Sequence, residues 1–234
     1  MKKKFILKYF FSFLYLLSCF IVSGQDTLAV SIKQYPQKYG IRLGLDLNKL
    51  AKNFYEKDYK GFEIVGDYRI TKKYFAAAEI GTESKTTIDD RINFTTNGAY
   101  LKLGFDYNFY ENWLDMNNSI YIGARYGTST YSQKINSYYI YDRNNYFPTT
   151  EILNVDKKYD NLSAHWSEII VGIKAEVFTN VFIGFSARLH ILFSQSELDN
   201  FANLHIPGFN RTYEGSFGSS FNYTLSYLIP FKKK

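Results

Sequence analysis

Phe221-Asn222-Tyr223-Thr224-Leu225-Ser226-Tyr227-Leu228-Ile229-Pro230-Phe231 is the stretch on which the fold turns. Every odd position is apolar or aromatic, while the even positions run Asn222, Thr224, Ser226, Leu228, Pro230. Alternation with a period of two marks a β-strand with one greasy face and one mostly small or polar face. Either the greasy face is buried as a core, or it is turned outward to lipid.

Upstream of it, seven more runs alternate in the same way. The first starts at Tyr39 and sets Ile41, Leu43, Leu45 and Leu47 against Arg42, Asp46 and Asn48. The others cover residues 62–70, 74–83, 98–109, 120–127, 168–177 and 181–191. Each run is close to the roughly 9–11 residues that a tilted strand needs to cross a bilayer. The links alternate as well. They are short at Thr71-Lys72-Lys73, around Trp113 and Asn117-Asn118, and at Phe178-Thr179-Asn180, and long at 49–60, 84–97, 129–164 and 194–218. An even number of strands with that rhythm returns both termini to the short-turn side, as in membrane barrels with periplasmic turns and extracellular loops. The expected fold is all-β, an eight-stranded antiparallel transmembrane β-barrel over residues 39–234. The segment Ser129–Ala164, rich in tyrosine, reads as the fifth and sixth strands extended beyond the membrane. An additional hairpin within it, making ten strands, stays open.

Composition is consistent with strands. The 234 residues include 22 Tyr and 21 Phe but 2 Met and 1 Cys, a bias toward residues that favour pleated surfaces. The mean hydropathy of -0.27 excludes a helical membrane protein and admits a barrel, in which half of every strand is polar.

Lys2, Lys3 and Lys4 precede an apolar run from Phe5 to Val22, and Val22-Ser23-Gly24 supplies small residues for cleavage. Residues 1–24 therefore read as a secretory signal peptide, and 25–38 as a short periplasmic arm. Removal of four lysines takes the formal charge of +6 down to about +2, so the basicity is mostly targeting charge and a nucleic-acid partner loses its basis. Leu16-Leu17-Ser18-Cys19 resembles a lipoprotein processing box, but the apolar run continues past Cys19. Cleavage after Gly24 leaves a mature chain with no cysteine.

The polar face carries both signs of charge. Arg42, Arg69, Lys102, Arg125, Lys174 and Arg188 oppose Asp46, Glu63, Asp67, Glu79, Glu83, Asp106, Glu168 and Glu176. Gly40, Gly44, Gly98, Gly104, Gly123, Gly127, Gly172 and Gly184 share that face, where they relieve crowding inside a narrow barrel. Eight strands leave an interior just wide enough for side chains to fill, and unpaired charges there would cost several kcal/mol each. The expectation is an ion-paired interior with an apolar exterior, the arrangement in which a closed barrel satisfies its backbone in lipid. Tyr39, Tyr74, Tyr107, Phe109 and Trp113, near the turn-side ends, fit an interfacial aromatic belt.

Four stretches carry a likeness: Tyr39-Gly40-Ile41-Arg42-Leu43-Gly44, Asp58-Tyr59-Lys60-Gly61, Glu63-Ile64-Val65-Gly66-Asp67-Tyr68-Arg69-Ile70 and Phe105-Asp106-Tyr107-Asn108-Phe109-Tyr110-Glu111-Asn112-Trp113. With them the chain resembles an uncharacterised family of Bacteroidota outer-membrane β-barrel proteins, a domain-of-unknown-function family. The resemblance implies location and fold and carries over no catalytic residue. The ending Lys232-Lys233-Lys234 departs from the terminal aromatic that usually serves barrel assembly.

Chemistry-bearing candidates are few. His190 reads as an interior hydrogen-bonding residue and His205 as a solvated loop side chain. His165 and Ser167, two residues apart, share one outward strand face near the extracellular end. That pair is similar to the arrangement in barrel lipid A deacylases, where a base takes the serine proton and an acid orients the base. Here pairing across the Phe178–Asn180 turn sets Phe193 beside His165 and leaves Glu197 too far up to serve. No cofactor, metal spacing, phosphate loop or plug is expected. The functional expectation is a non-enzymatic protein of the cell outer membrane, with a structural or surface-interaction role. Its expected partners are outer-membrane lipid, lipopolysaccharide and the barrel assembly machinery. An acyl hydrolase using Ser167 and His165, and a narrow channel for small solutes, are the alternatives.

Overall fold

The computed structural model describes residues 38–89, 92–112, 116–140, 151–198, 203–210 and 216–233. The expected signal peptide, the arm before Lys38, Trp113, and the turn joining the two longest strands all lie outside the described residues. Eight strands make up one antiparallel sheet: β1 (Lys38–Asp46), β2 (Tyr59–Arg69), β3 (Tyr74–Ile88), β4 (Ile92–Asn108), β5 (Ser119–Ile140), β6 (Glu151–Phe178), β7 (Val181–Gln195) and β8 (Phe217–Lys233). Each pairs with its neighbours in sequence, and β1 pairs with β8 to close the sheet into a ring.

The segment 129–164 adds no strand of its own. It extends β5 and β6, which stay paired from Ser119 opposite Lys174 to Ile140 opposite Glu151, so the count is eight and the ten-strand alternative is set aside. The link over 84–97, expected as a polar connection, is also a paired hairpin, with β3 and β4 in register up to Ile88 opposite Asn93. Its threonines suit a two-sided polar ribbon, and the Thr86 and Thr95 hydroxyls meet across it at 2.9 Å.

The alternation of the sequence is an alternation of exposure, with the usual polarity reversed. Leu103 and Ile173 are 50% and 49% exposed, whereas Lys102 and Glu168, one layer inside them, are 2% and 1%. The inward glycines make room for particular rings. A Cβ on Gly81 would run into the Tyr100 ring, one on Gly172 into the Tyr121 ring, and one on Gly127 into the Trp166 indole. Neighbouring strands thus lay large aromatics flat across the bare backbone beside them.

One element departs from the sequence reading. The first strand ends at Asp46, and Leu47–Tyr55 form a helix, α1. The Asp46 carboxylate accepts from the Asn48 and Lys49 amides and so caps the helix. Leu47, Leu50, Ala51 and Phe54 follow helical spacing, a stripe that competes with the alternation that ended at Leu47. The stripe faces outward: Phe54 is 90% exposed. The polar face of α1 fills the gap left where β1 stops, above which β8 and the start of β2 have no β1 partner. The Asn48 amide donates to the Phe221 carbonyl of β8 at 2.8 Å, and Asn53 exchanges two bonds with the Gly61 backbone of β2. Side-chain amides there replace a missing strand.

Replacing Gly127 with valine forces the Trp166 ring off the sheet. The Gly127→Val variant is expected to lose the near-ultraviolet circular dichroism of that indole and to unfold at lower temperature. An unchanged spectrum would contradict the packing described.

Candidate functional site

The interior of the ring is lined with paired charge, best followed from the short-turn end upward. At the bottom Lys38 pairs with Glu176 at 3.2 Å, and Glu176 also accepts from Asn117 and from the Asn180 backbone. Arg69, expected among the ion pairs, takes no carboxylate among the described residues. Its guanidinium lies over the Phe75 ring at 4.9 Å and donates to the Lys38 carbonyl, because the end layer it occupies is aromatic.

One layer up, Arg42 donates to Asp67 at 2.7 Å while sitting between the Phe75 and Phe182 rings. Lys174 bridges Asp67 and Asp106, and Arg125 pairs with Asp106 at 2.7 Å. In the middle layer Arg188 joins Glu79 to Glu168, and Lys102 stands 3.1 Å from Glu168 with Glu79 and Glu63 slightly further off. His190 contacts Glu168 at 3.5 Å and meets the Ser220 hydroxyl at 2.8 Å. Two small cavities among these lower and middle groups measure about 10 and 30 Å³. That is room for a water or two.

Asp46 is buried but joins no ion pair among the described residues. Its oxygens are taken up by the α1 cap and by the Asn222 amide. Above it α1 contributes a cation the strand pattern missed: Lys49 reaches Glu83 at 3.4 Å and Glu63 at 4.0 Å. Tyr59 donates to Glu83 at 2.6 Å and Tyr100 to Glu63 at 2.5 Å. The strand faces alone offered six cations against eight carboxylates. Lys38 and Lys49, from the two ends of β1, supply the two that were wanting.

The upper interior is filled by the chain itself. His205, expected to be solvated, is buried, because residues 203–210 fold down into the ring. Ile206 and Phe209 join Tyr100, Tyr131, Leu162, Trp166 and Leu192 in an apolar cluster. Gly208, at φ +82°, donates its amide to Glu83 at 2.8 Å, and the Tyr131 hydroxyl donates to Asn203 at 2.8 Å. No plug is expected from the sequence, yet this loop fills the upper ring. Ile206-Pro207-Gly208-Phe209, an apolar turn inside a polar link, was the signal available.

His165 and Ser167 lie on one face of β6, as their spacing requires. The bulge between His165 and Trp166 puts Ser194, not Phe193, opposite His165. The His165 Nδ1 is 3.0 Å from the Tyr126 hydroxyl, and the two rings stack at 6.1 Å. Among the described residues no carboxylate contacts His165, and no hydrogen bond joins it to Ser167.

A closed ring of eight antiparallel strands, filled with paired charge and capped by an inward loop, sets the structural class. Residues 6–234 match the model of the family described as "Domain of unknown function (DUF6048)", and the chain belongs to that family. No curated protein matches the chain, and neither does any solved structure.

Two outcomes follow from the geometry. Lys102→Met leaves Glu168, Glu79 and Glu63 short of a cation. It is expected to cost about 3–5 kcal/mol in equilibrium unfolding, most of it restored in Lys102→Met/Glu168→Gln. Burial pushes the His205 imidazole down from 6.5 to about 4, with the Glu83 carboxylate opposing and Lys85, Lys49 and Lys52 assisting. Between those values the unfolded chain binds a proton that the folded one refuses. Docking of 203–210 is therefore expected to weaken as pH falls from about 6.5 toward 4, read as a lower protection factor at Gly208, its exchange taken relative to the intrinsic rate at each pH, and absent in His205→Gln.

Proposed function

We propose that the chain is a small outer-membrane β-barrel, secreted through its N-terminal segment, with a closed, ion-paired interior and a structural or surface-interaction role. The observation that carries this reading is the reversal of polarity across one layer of backbone. Leucine, isoleucine and aromatic side chains are exposed along every strand, while arginines and carboxylates are buried. Soluble monomers rarely expose an apolar patch beyond a few hundred Å². In lipid that surface is satisfied, and the closed sheet leaves no unpaired edge along most of the wall.

Position within the membrane follows from the ends. Tyr74, Tyr107 and Phe109 cluster on the outer face at the short-turn end, with ring centroids 5.1 and 5.8 Å apart, where an interfacial belt sits. The long hairpins of β3–β4 and β5–β6 then project outside the cell, among lipopolysaccharide. The partners in this reading are outer-membrane lipid and the barrel assembly machinery, and the source is a Bacteroidota outer membrane. The close filling of the lower and middle interior, where the two cavities described hold a water or two, favours a barrier over a solute channel. His165, held by the Tyr126 hydroxyl, and Ser167, with no hydrogen bond to that imidazole, belong to a polar belt rather than to a hydrolase.

Reconstitution is the test. The mature chain is expected to float with phospholipid vesicles and to leave planar bilayers electrically silent. A chain that stays monodisperse in detergent-free buffer overturns the reading. In bilayers Leu103→Arg, at an outward mid-strand position, is expected to destabilise the folded chain by roughly 2–4 kcal/mol. In a soluble protein with that side chain half exposed, the change would be near neutral.

A further inference from the structure

Where β1 stops, strand pairing is missing on the β8 side of the wall, and the seam there lies between α1 and β8. Above Thr224, β8 has no β1 partner, and the Asn48 amide bonded to the Phe221 carbonyl is what spans the gap. A cavity of about 540 Å³ opens at this seam. It falls within the roughly 300–1,000 Å³ of small-molecule sites and is far larger than the two cavities of the lower and middle interior. Its lining changes character across the wall.

On the outer side lie Phe185, Phe221 and Tyr223, packed together with ring centroids 6.1 and 5.1 Å apart from Phe185. On the inner side lie three lysines, Lys49, Lys52 and Lys102, against a single carboxylate, Asp46, which is already occupied by the helix cap and Asn222. Lys49 and Lys102 are held by the glutamates of the interior. Lys52 is different: among the described residues its ammonium has no carboxylate partner and rests 5.5 Å from the Tyr59 ring. An uncommitted cation at the mouth of a cavity whose other wall is aromatic and lipid-facing suits a ligand with a negative head and a greasy tail.

We propose that the seam between α1 and β8 is a lateral binding site for an anionic single-chain amphiphile. The acyl chain lies along Phe185, Phe221 and Tyr223, and the head group sits on Lys52 beneath α1. The site rests on the lipid-facing reading of the outer surface, since the tail enters from that side. Carboxylate and phosphate heads share the chemistry required. The exposed Leu47 and Phe54 stripe of α1 would lie in the same lipid layer as the tail, so the helix is both the cover of the site and its anchor in the leaflet.

Native mass spectrometry of the full mature chain, released from a neutral detergent, tests the site with three probes: hexadecanoate, hexadecyl phosphate and hexadecanol. One saturable adduct is expected with one or both anions, which also tells a carboxylate head from a phosphate head, and none with the alcohol. Lys52→Glu is expected to weaken the anion adduct at least tenfold. Ser220→Trp, which fills the cavity, is expected to abolish it, and both variants should keep the heat-modifiable gel migration of the parent. Equal uptake of the alcohol, no saturable adduct, or full binding by a correctly folded Lys52→Glu overturns the proposal. Vesicle flotation of the same preparation separates the two readings: a chain that floats but takes up no amphiphile overturns the seam alone, and one that does not float overturns both.

Discussion

Charge inside a narrow ring has to be neutralised by other charge, and this constraint organises the molecule. An eight-stranded ring leaves too little room to hydrate its lining, so each buried arginine or carboxylate needs a partner within hydrogen-bonding reach. The consequence is a ladder of contacts from Arg42 in the lower interior to Glu83 under the loop, in which Asp67, Asp106, Glu79 and Glu168 each serve two or more donors or cations. Removing apolar side chains from this interior is what puts them on the outside. Polarity reversal and ion pairing are one design seen from two faces.

The outer rim is built on a different principle. There the strands rise above the network, and the space they enclose is filled by an apolar cluster that the loop 203–210 completes. The loop is fixed at both levels: Phe209 packs edge-on to Trp166 at 5.9 Å, while the Gly208 amide descends to Glu83. A hydrophobic stopper thus sits on a charged column. Tyr100 stands at the join, its hydroxyl on Glu63 and its ring in the apolar cluster beside Gly208, a boundary its dual chemistry suits.

Strand content, strand number and the facing of nearly every side chain were legible because the period of two is unambiguous over long runs such as Phe221–Phe231. What failed was local. At Leu47 the alternation and a helical stripe overlap, and the strand pattern ran two residues too far, through Asn48. Lys49 was hidden by that error, and Lys38 by its place just before the first alternating pair. Pairing choices inside the ring were not readable either. Asp46 and Arg69 share the inward face with the ion-pairing residues, yet one caps a helix and the other lies on an aromatic ring. Facing follows from the backbone, but partners follow from the angular position of each strand around the axis, which no one-dimensional pattern encodes. His205 was misplaced because polar links are assumed to lie in water, an assumption that Pro207-Gly208 between Ile206 and Phe209 should have weakened.

The position of the two late-found lysines has a consequence for how the ring comes together. Lys38 and Lys49 bracket β1, the strand that meets β8 to complete the circle. Without β1 and α1, the remaining strands hold two more acids than bases on their inward side. The segment from Lys38 to Lys49 carries Lys38, Arg42 and Lys49 with the lone acid Asp46, the counter-charge for that lining. The strand that completes the circle is thus also the one that brings its lining to neutrality.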